Sequence, residues 1–148
     1  MNSKEFKKLF GEIAKNNGFE SAFGGWFKDS PETIIVLDLQ KSNYGDYYEL
    51  NIKIFIQGVF GIRYHKNKDL VKKEIGNISR RQPPEYRSVF NFDEPMENDI
   101  REKKLKELFS EFIVPFTHSA LNISGIIELE KRNQFQITPS VKNEIEKL

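Results

Sequence analysis

The side chains with the most chemical potential in this chain gather in two places. One is a polar stretch, Gln40-Lys41-Ser42 and Tyr44, which follows a run of apolar residues; the other is the adjacent pair Arg80 and Arg81. An ammonium, a phenol and a guanidinium folded together would recognise a carboxylate or a phosphate, the guanidinium through paired hydrogen bonds. The competing reading is local, because a glutamine amide and a serine hydroxyl beside a tight turn also satisfy the turn's own peptide groups. Gln40, Lys41, Ser42, Tyr44, Arg80 and Arg81 are the candidate binding residues, and no catalytic residue is assigned.

Other chemistry is sparse. His65 and His118 are the only histidines and have no ligand-type neighbours at metal-binding spacing, so no metal site and no cofactor are expected. A surface or capping role suits each better than general-base work. The acidic group Asp93, Glu94, Glu97 and Asp99 could hold a hard cation, but acids at the start of a helix are what its macrodipole favours. Lys66, Lys68, Lys72, Lys73, Arg80, Arg81 and Arg87, with Tyr64 and Tyr86 among them, meet the loose recipe for single-strand nucleic-acid binding without any recognised signature. There is no glycine-rich phosphate loop, nucleophile elbow or zinc-protease helix, so catalysis would need a site dispersed along the chain.

The elements that must position these groups centre on Thr33 to Ile56. TIIVLDLQ and YELNIKIFI flank the polar, glycine-bearing turn KSNYGDY, which predicts a β-hairpin. Tyr48, Leu50, Ile52, Ile54 and Ile56 alternate with Tyr47, Glu49, Asn51, Lys53 and Phe55, so one face is expected to be buried and the other mostly wet. Ile34 to Leu37 are apolar on both faces, as in a central strand. Ahead of the hairpin, Ser3 to Asn17 reads as an amphipathic helix capped by Ser3 and closed by Gly18, and Ala22 to Lys28 as one strand bulged at Gly24-Gly25. Ile62 and Tyr64 alternate as though pairing resumes, and Asn67 to Gln82 fits a helical stripe or a short strand. Pro83-Pro84 ends that segment, and Ser88 to Phe92 reads as a further short strand. Glu97 to Phe112 is a helix that kinks or stops at Pro115; Ile123 to Lys131 is another, Gln134 to Ile137 a link, and Thr138-Pro139 starts a last helix.

Composition bounds the rest. At 148 residues, 38% hydrophobic and with 13 Phe, 5 Tyr and one Trp, the chain is expected to be a single domain, residues 1–148, able to bury a core. Twenty-three basic residues against 22 acidic leave a formal charge of +1, so no global field draws in nucleic acid or anionic lipid. The absence of cysteine, of a signal-peptide pattern and of a long apolar run leads to the expectation of a cytoplasmic protein with no membrane contact.

The leading helix that ends in Gly18-Phe19, the aromatic strand at Trp26-Phe27, the strand that leaves through Gln40-Lys41-Ser42, Tyr44-Gly45, the long strand after it and a helix ending near Pro115 resemble the domain of unknown function 4304 family. These are small, mostly bacterial proteins. The resemblance covers most of the chain up to Pro115, with Arg80 or Arg81 matching the family's arginine region loosely. It implies an architecture and carries no activity or catalytic residue across.

The resulting expectation is an α+β fold: an antiparallel, meander-like sheet of about four to five strands with N-terminal and C-terminal helices packed on it. Ile35, Leu37, Tyr48, Leu50, Ile52 and Ile54 should line the packing face. The function expected is a noncatalytic protein-interaction module whose partner is another protein, an immunity-like protein being its specific form. Single-stranded nucleic-acid binding and a dispersed-site enzyme are the alternatives; oligomeric state is left open.

Overall fold

The computed structural model describes residues 1–148. Helix α1 (Ser3–Asn16) buries Phe6, Phe10, Ile13 and Ala14 along one stripe, the outcome of apolar residues recurring at helical spacing. Its cap is Asn2 rather than Ser3. Glu5 N–H donates to Asn2 Oδ1 at 2.8 Å and Asn2 N–H to Glu5 Oε1 at 3.2 Å, a reciprocal box that the residue one position later cannot form.

The stretch expected as one bulged strand is a hairpin. Strands β1 (Glu20–Ala22) and β2 (Gly25–Asp29) are joined by Phe23 and Gly24, both left-handed at φ 56° and 82°, a two-residue turn whose twist matches that of its strands. Strands β3 (Thr33–Lys41) and β4 (Tyr48–Ile56) form the expected hairpin, paired residue for residue from Thr33↔Ile56 to Lys41↔Tyr48. Strand β5 (Ile78–Arg81) completes an antiparallel meander in the order β1-β2-β3-β4-β5, with β3 at its centre.

The two faces of this sheet differ. On the first, Trp26, Ile35, Leu37, Leu39, Tyr48, Leu50, Ile52, Ile54 and Ile78 join one large core with α1 and the C-terminal helices. On the second, Phe27, Ile34, Val36 and Phe55 are covered by Leu70 and Val71 of α2 (Lys68–Lys72). The expectation of a mostly wet second face therefore holds for only one end of it, and the ambiguous segment before Pro83 resolves into both a helix and a strand.

Two expected strands do not form. Past a 3₁₀ turn at Val59–Gly61, Tyr64 exchanges hydrogen bonds with the Gln57 side-chain amide (3.0 and 2.7 Å) instead of with a strand. Pro84–Phe90 is a 3₁₀ helix whose Ser88 and Val89 carbonyls, with that of Asn91, accept from the buried Arg101 guanidinium at 3.3, 2.7 and 3.2 Å, and pairing is confined to a single antiparallel bridge between Asn91 and Tyr47.

Arg101 belongs to α3 (Asn98–Leu108), which runs through a π-helical turn, Phe109–Ile113, into α4 (Val114–Ser119). The widened turn just before Pro115 accommodates its missing donor, so the helix continues instead of stopping. Helices α5 (Ile123–Lys131) and α6 (Pro139–Glu146) follow, the latter capped by Thr138. Thr33 Oγ1 donates to the Ala120 carbonyl at 2.9 Å, and Ser30 Oγ to that of Leu121, fastening the start of β3 to this helical layer. No helix is long and apolar enough to cross a membrane.

Ile52 has no exposed surface at the middle of the first face. Ile52→Lys would place an unpaired ammonium there, so the variant should be unfolded or aggregated by circular dichroism and gel filtration, while Ile52→Ala should fold with a loss of about 2–5 kcal/mol in urea titrations.

The end of the chain is held by carboxylates. Glu130 accepts from Ile137 N–H at 2.9 Å and pairs with Lys142; Glu144 pairs with Lys147 and accepts from Phe60 N–H at 2.7 Å. The Ile137 amide chiefly draws the Glu130 pKa down, and the Lys147 hydrogen bond chiefly that of Glu144. Depressed carboxylate pKa values give stability that is present above the unfolded value near 4.5 and lost as pH falls through the folded one. Exchange of the Ile137 and Phe60 amides should accordingly accelerate, beyond the intrinsic trend, on acidifying below about 4.5.

Candidate functional site

The register of β3 against β4 puts Asp38, Gln40, Glu49, Asn51 and Lys53 on the same face as Ile34, Val36 and Phe55, so that face is apolar at one end and polar at the other. Lys53 stands on the boundary, only 6% exposed. Its Nζ donates to the Val71 carbonyl at 2.7 Å and the Leu70 carbonyl at 3.4 Å, the open C-terminal carbonyls of α2, and lies 3.9 Å from Asp38 Oδ2. Burial pushes its pKa below the usual lysine value, and the Asp38 carboxylate offsets part of that. Beyond it, Asn51 Nδ2 donates to Gln40 Oε1 at 3.0 Å and to Asp38 Oδ2 at 3.5 Å. Gln82 extends the ladder past the end of β5, its Oε1 accepting from Leu50 N–H at 3.0 Å.

Over this polar end lies a cleft of about 720 Å³. It takes Asp38, Gln40, Asn51 and Arg81 from the second face, and Lys7, Leu39 and Tyr48 from the first, so it wraps the edge of β3 where β2 has ended. Its lining includes Lys7, Lys41, Lys53, Lys72, Lys73 and Arg81 against two carboxylates, Asp38 and Glu74, in a chain whose formal charge is only +1. Lys7 of α1 and Lys72 of α2 face it without an ion pair within the protein, whereas Lys53 is engaged by Asp38 and α2, and Arg81 lies 3.8 Å from Glu49. The site can thus attract negative charge and donate hydrogen bonds. Neither histidine lines it, and no three His, Asp or Glu side chains cluster as metal ligands anywhere in the molecule.

Of the residues singled out from the sequence, Gln40, Lys41, Ser42, Tyr44 and Arg81 come together around a smaller hollow of about 230 Å³ beside the cleft, which Gln40, Lys41 and Arg81 also line. Arg80 does not join them. As the strand neighbour of Arg81 it projects to the other face, where its guanidinium lies 4.4 Å from the Phe112 ring centre and donates to the Gln134 carbonyl (2.9 Å) and side chain (2.8 Å). Part of the turn is self-satisfied: Ser42 Oγ accepts from Tyr44 N–H at 3.0 Å, Lys41 pairs with Asp46, and Asp93 Oδ2 accepts from Asp46 N–H at 2.9 Å. Gly45 permits that approach, because a Cβ on it would come 2.8 Å from Asp93 Oδ2. Tyr44, 95% exposed, stands clear of the turn.

The basic segment is not one patch. Lys66 is bound to Glu20 (3.2 Å) and Asp29 (3.4 Å), Tyr64 packs on Phe55 at 5.1 Å, and the Tyr86 hydroxyl donates to Glu107 at 3.3 Å. From Tyr64 to Lys73, only Lys72 and Lys73 reach the cleft. The residues that sequence reasoning passed over are Lys7, Asp38, Asn51 and Lys53, while Lys72 was singled out only as part of the basic segment. Asp38, Asn51 and Lys53 carried a usable signal, polar residues of one parity on both hairpin strands; Lys7 carried none, since it looks like any solvated helical lysine.

A family model described as Domain of unknown function (DUF4304) matches residues 10–119, a span that includes the whole sheet and all of the cleft lining except Lys7. No curated protein and no solved structure matches the chain.

Lys53→Met removes a buried cation, leaving Asp38 without its ion-pair partner and two helix-end carbonyls without their donor, so it should cost about 3 kcal/mol in urea unfolding. Combined with Asp38→Leu, the loss should be smaller than the sum of the two single losses, and strict additivity would show that the two groups do not act as a pair.

Proposed function

The chain belongs to the domain of unknown function 4304 family, and on that premise we propose that it is a noncatalytic binding module whose polar sheet end receives an acidic segment of a partner protein. The observation that carries this reading is the local excess of cations in the cleft, two of them, Lys7 and Lys72, without an internal counter-ion. A near-neutral chain that concentrates positive charge in one concavity favours an anionic group there and steers its approach. Tyr44 supplies an aromatic anchor next to it, exposed at the tip of the hairpin turn. An immunity protein that neutralises a toxin by covering it is the form of this reading that asks least of the chain, since occlusion needs a surface and no reaction chemistry.

Phosphate would also be attracted to these cations. Single-strand binding, however, draws on several aromatic rings that stack successive bases, and Tyr64 and Tyr86 are engaged by Phe55 and Glu107. Pull-down from native lysate with the wild-type chain and with the Lys72→Glu, Arg81→Glu double variant tests the reading. A protein that survives nuclease treatment and is lost by the double variant is the expected result. Recovery abolished by nuclease would overturn it in favour of nucleic acid, and equal recovery by both chains would show that the cleft is not the site.

A further inference from the structure

Strand β3 outruns its neighbour. The last residues of β2 and β3 that pair are Trp26 and Leu37, because the chain turns away at Phe23 and Gly24, yet β3 continues to Lys41 with β4 beside it on the other side only. The phase of the ladder follows from two bonds: Ser42 N–H donates to the Tyr47 carbonyl at 2.9 Å, and Ser30 N–H to that of Thr33 at 2.9 Å. Even-numbered peptide groups of β3 therefore face β4, and odd-numbered ones face the β2 side. Leu39 and Lys41 turn their N–H and carbonyl groups toward a place where no strand lies, and that edge is the one the basic cleft wraps.

We infer that the free edge of β3 is a strand-addition site, and that its occupant is an extended acidic segment of the partner protein. This rests on the binding reading above and specifies its mode. Residues 38–41 span roughly 13 Å, room for about four residues of an added strand and for up to four backbone hydrogen bonds, from Leu39 and Lys41. Side chains of the added strand alternate between the two faces. Those level with Leu39 point toward α1 and its unpaired Lys7, and those level with Gln40 toward α2 and its unpaired Lys72. Carboxylates on either side thus meet a cation that has no partner inside the protein. An unpaired edge is elsewhere blunted by charge or covered; here Leu39 is buried and Lys41 exposed, and the flanking lysines discourage pairing with another copy while admitting an oppositely charged strand.

The test uses the full chain and an eight-residue peptide of alternating glutamate and threonine, followed by amide exchange and titration. Binding of the peptide should slow exchange of the Leu39 and Lys41 amides at least tenfold. On the protein side, Lys41→Pro removes an edge N–H as well as a charge, whereas Lys41→Ala removes only the charge. Proline is tolerated where the lost N–H faces away from the ladder, and Lys41→Pro should bind the peptide at least tenfold more weakly than Lys41→Ala. Binding with unchanged Leu39 and Lys41 exchange would overturn strand addition and leave the basic cleft as a side-chain site. Failure of the peptide to bind at millimolar concentration in low salt would also overturn it, whatever partner the cleft variants retain or lose.

Discussion

The structure depends on the pairing of β3 with β4. With the register set from Thr33↔Ile56 to Lys41↔Tyr48, the period of two assigns every side chain of the hairpin to a face, and a slip of one residue would exchange the faces wholesale. The first face is apolar over most of its length and accepts α1 and the C-terminal helices. The second is apolar only where Ile34, Val36 and Phe55 lie, so α2 can cover that half and no more. Lys53 marks the limit of the cover, spanning from Asp38 to the carbonyl end of α2. The cleft begins there as a consequence of strand composition.

A second constraint is length. The tight turn at Phe23 and Gly24 closes the β1–β2 hairpin before β2 can run the whole of β3, which leaves a short stretch of a central strand with an edge. An edge beside polar side chains and lysines from two separate helices combines what peptide recognition draws on: backbone groups for affinity and flanking charges for selection. The family match spans the sheet that builds this arrangement and begins after Lys7, one of the cleft's unpaired cations.

Much of the fold was legible because it rests on local periodicity. The hairpin, the amphipathic α1, α5 and α6 and the apolar packing face all follow from spacing and caps, and the structure has them where the sequence placed them, with Asn2 rather than Ser3 as the first cap. The failures have distinct causes. Gly24-Gly25 was compatible with a bulge or a turn, and only pairing of Glu20 to Ala22 with Gly25 to Phe27 selects the turn. Ser88 to Phe92 has strand composition, but it pairs only through the Asn91 bridge, and Arg101, well along the chain, donates to its carbonyls. Pro115 interrupts an ideal helix, yet a π-helical turn absorbs the defect.

The candidate residues divide the same way. Gln40, Lys41, Ser42 and Tyr44 were bound to be close together, since they adjoin a turn, and parity alone separates Arg80 from Arg81 once both lie in a strand. Sequence by itself determined which side chains share a strand face, because alternation is a property of the extended backbone. Only the tertiary structure decided which parts of those faces are covered, that β2 stops short of the end of β3, and that Lys7 and Lys72 line one cleft beside that edge. Those outcomes depend on contacts between segments distant in sequence, and no local spacing encodes them.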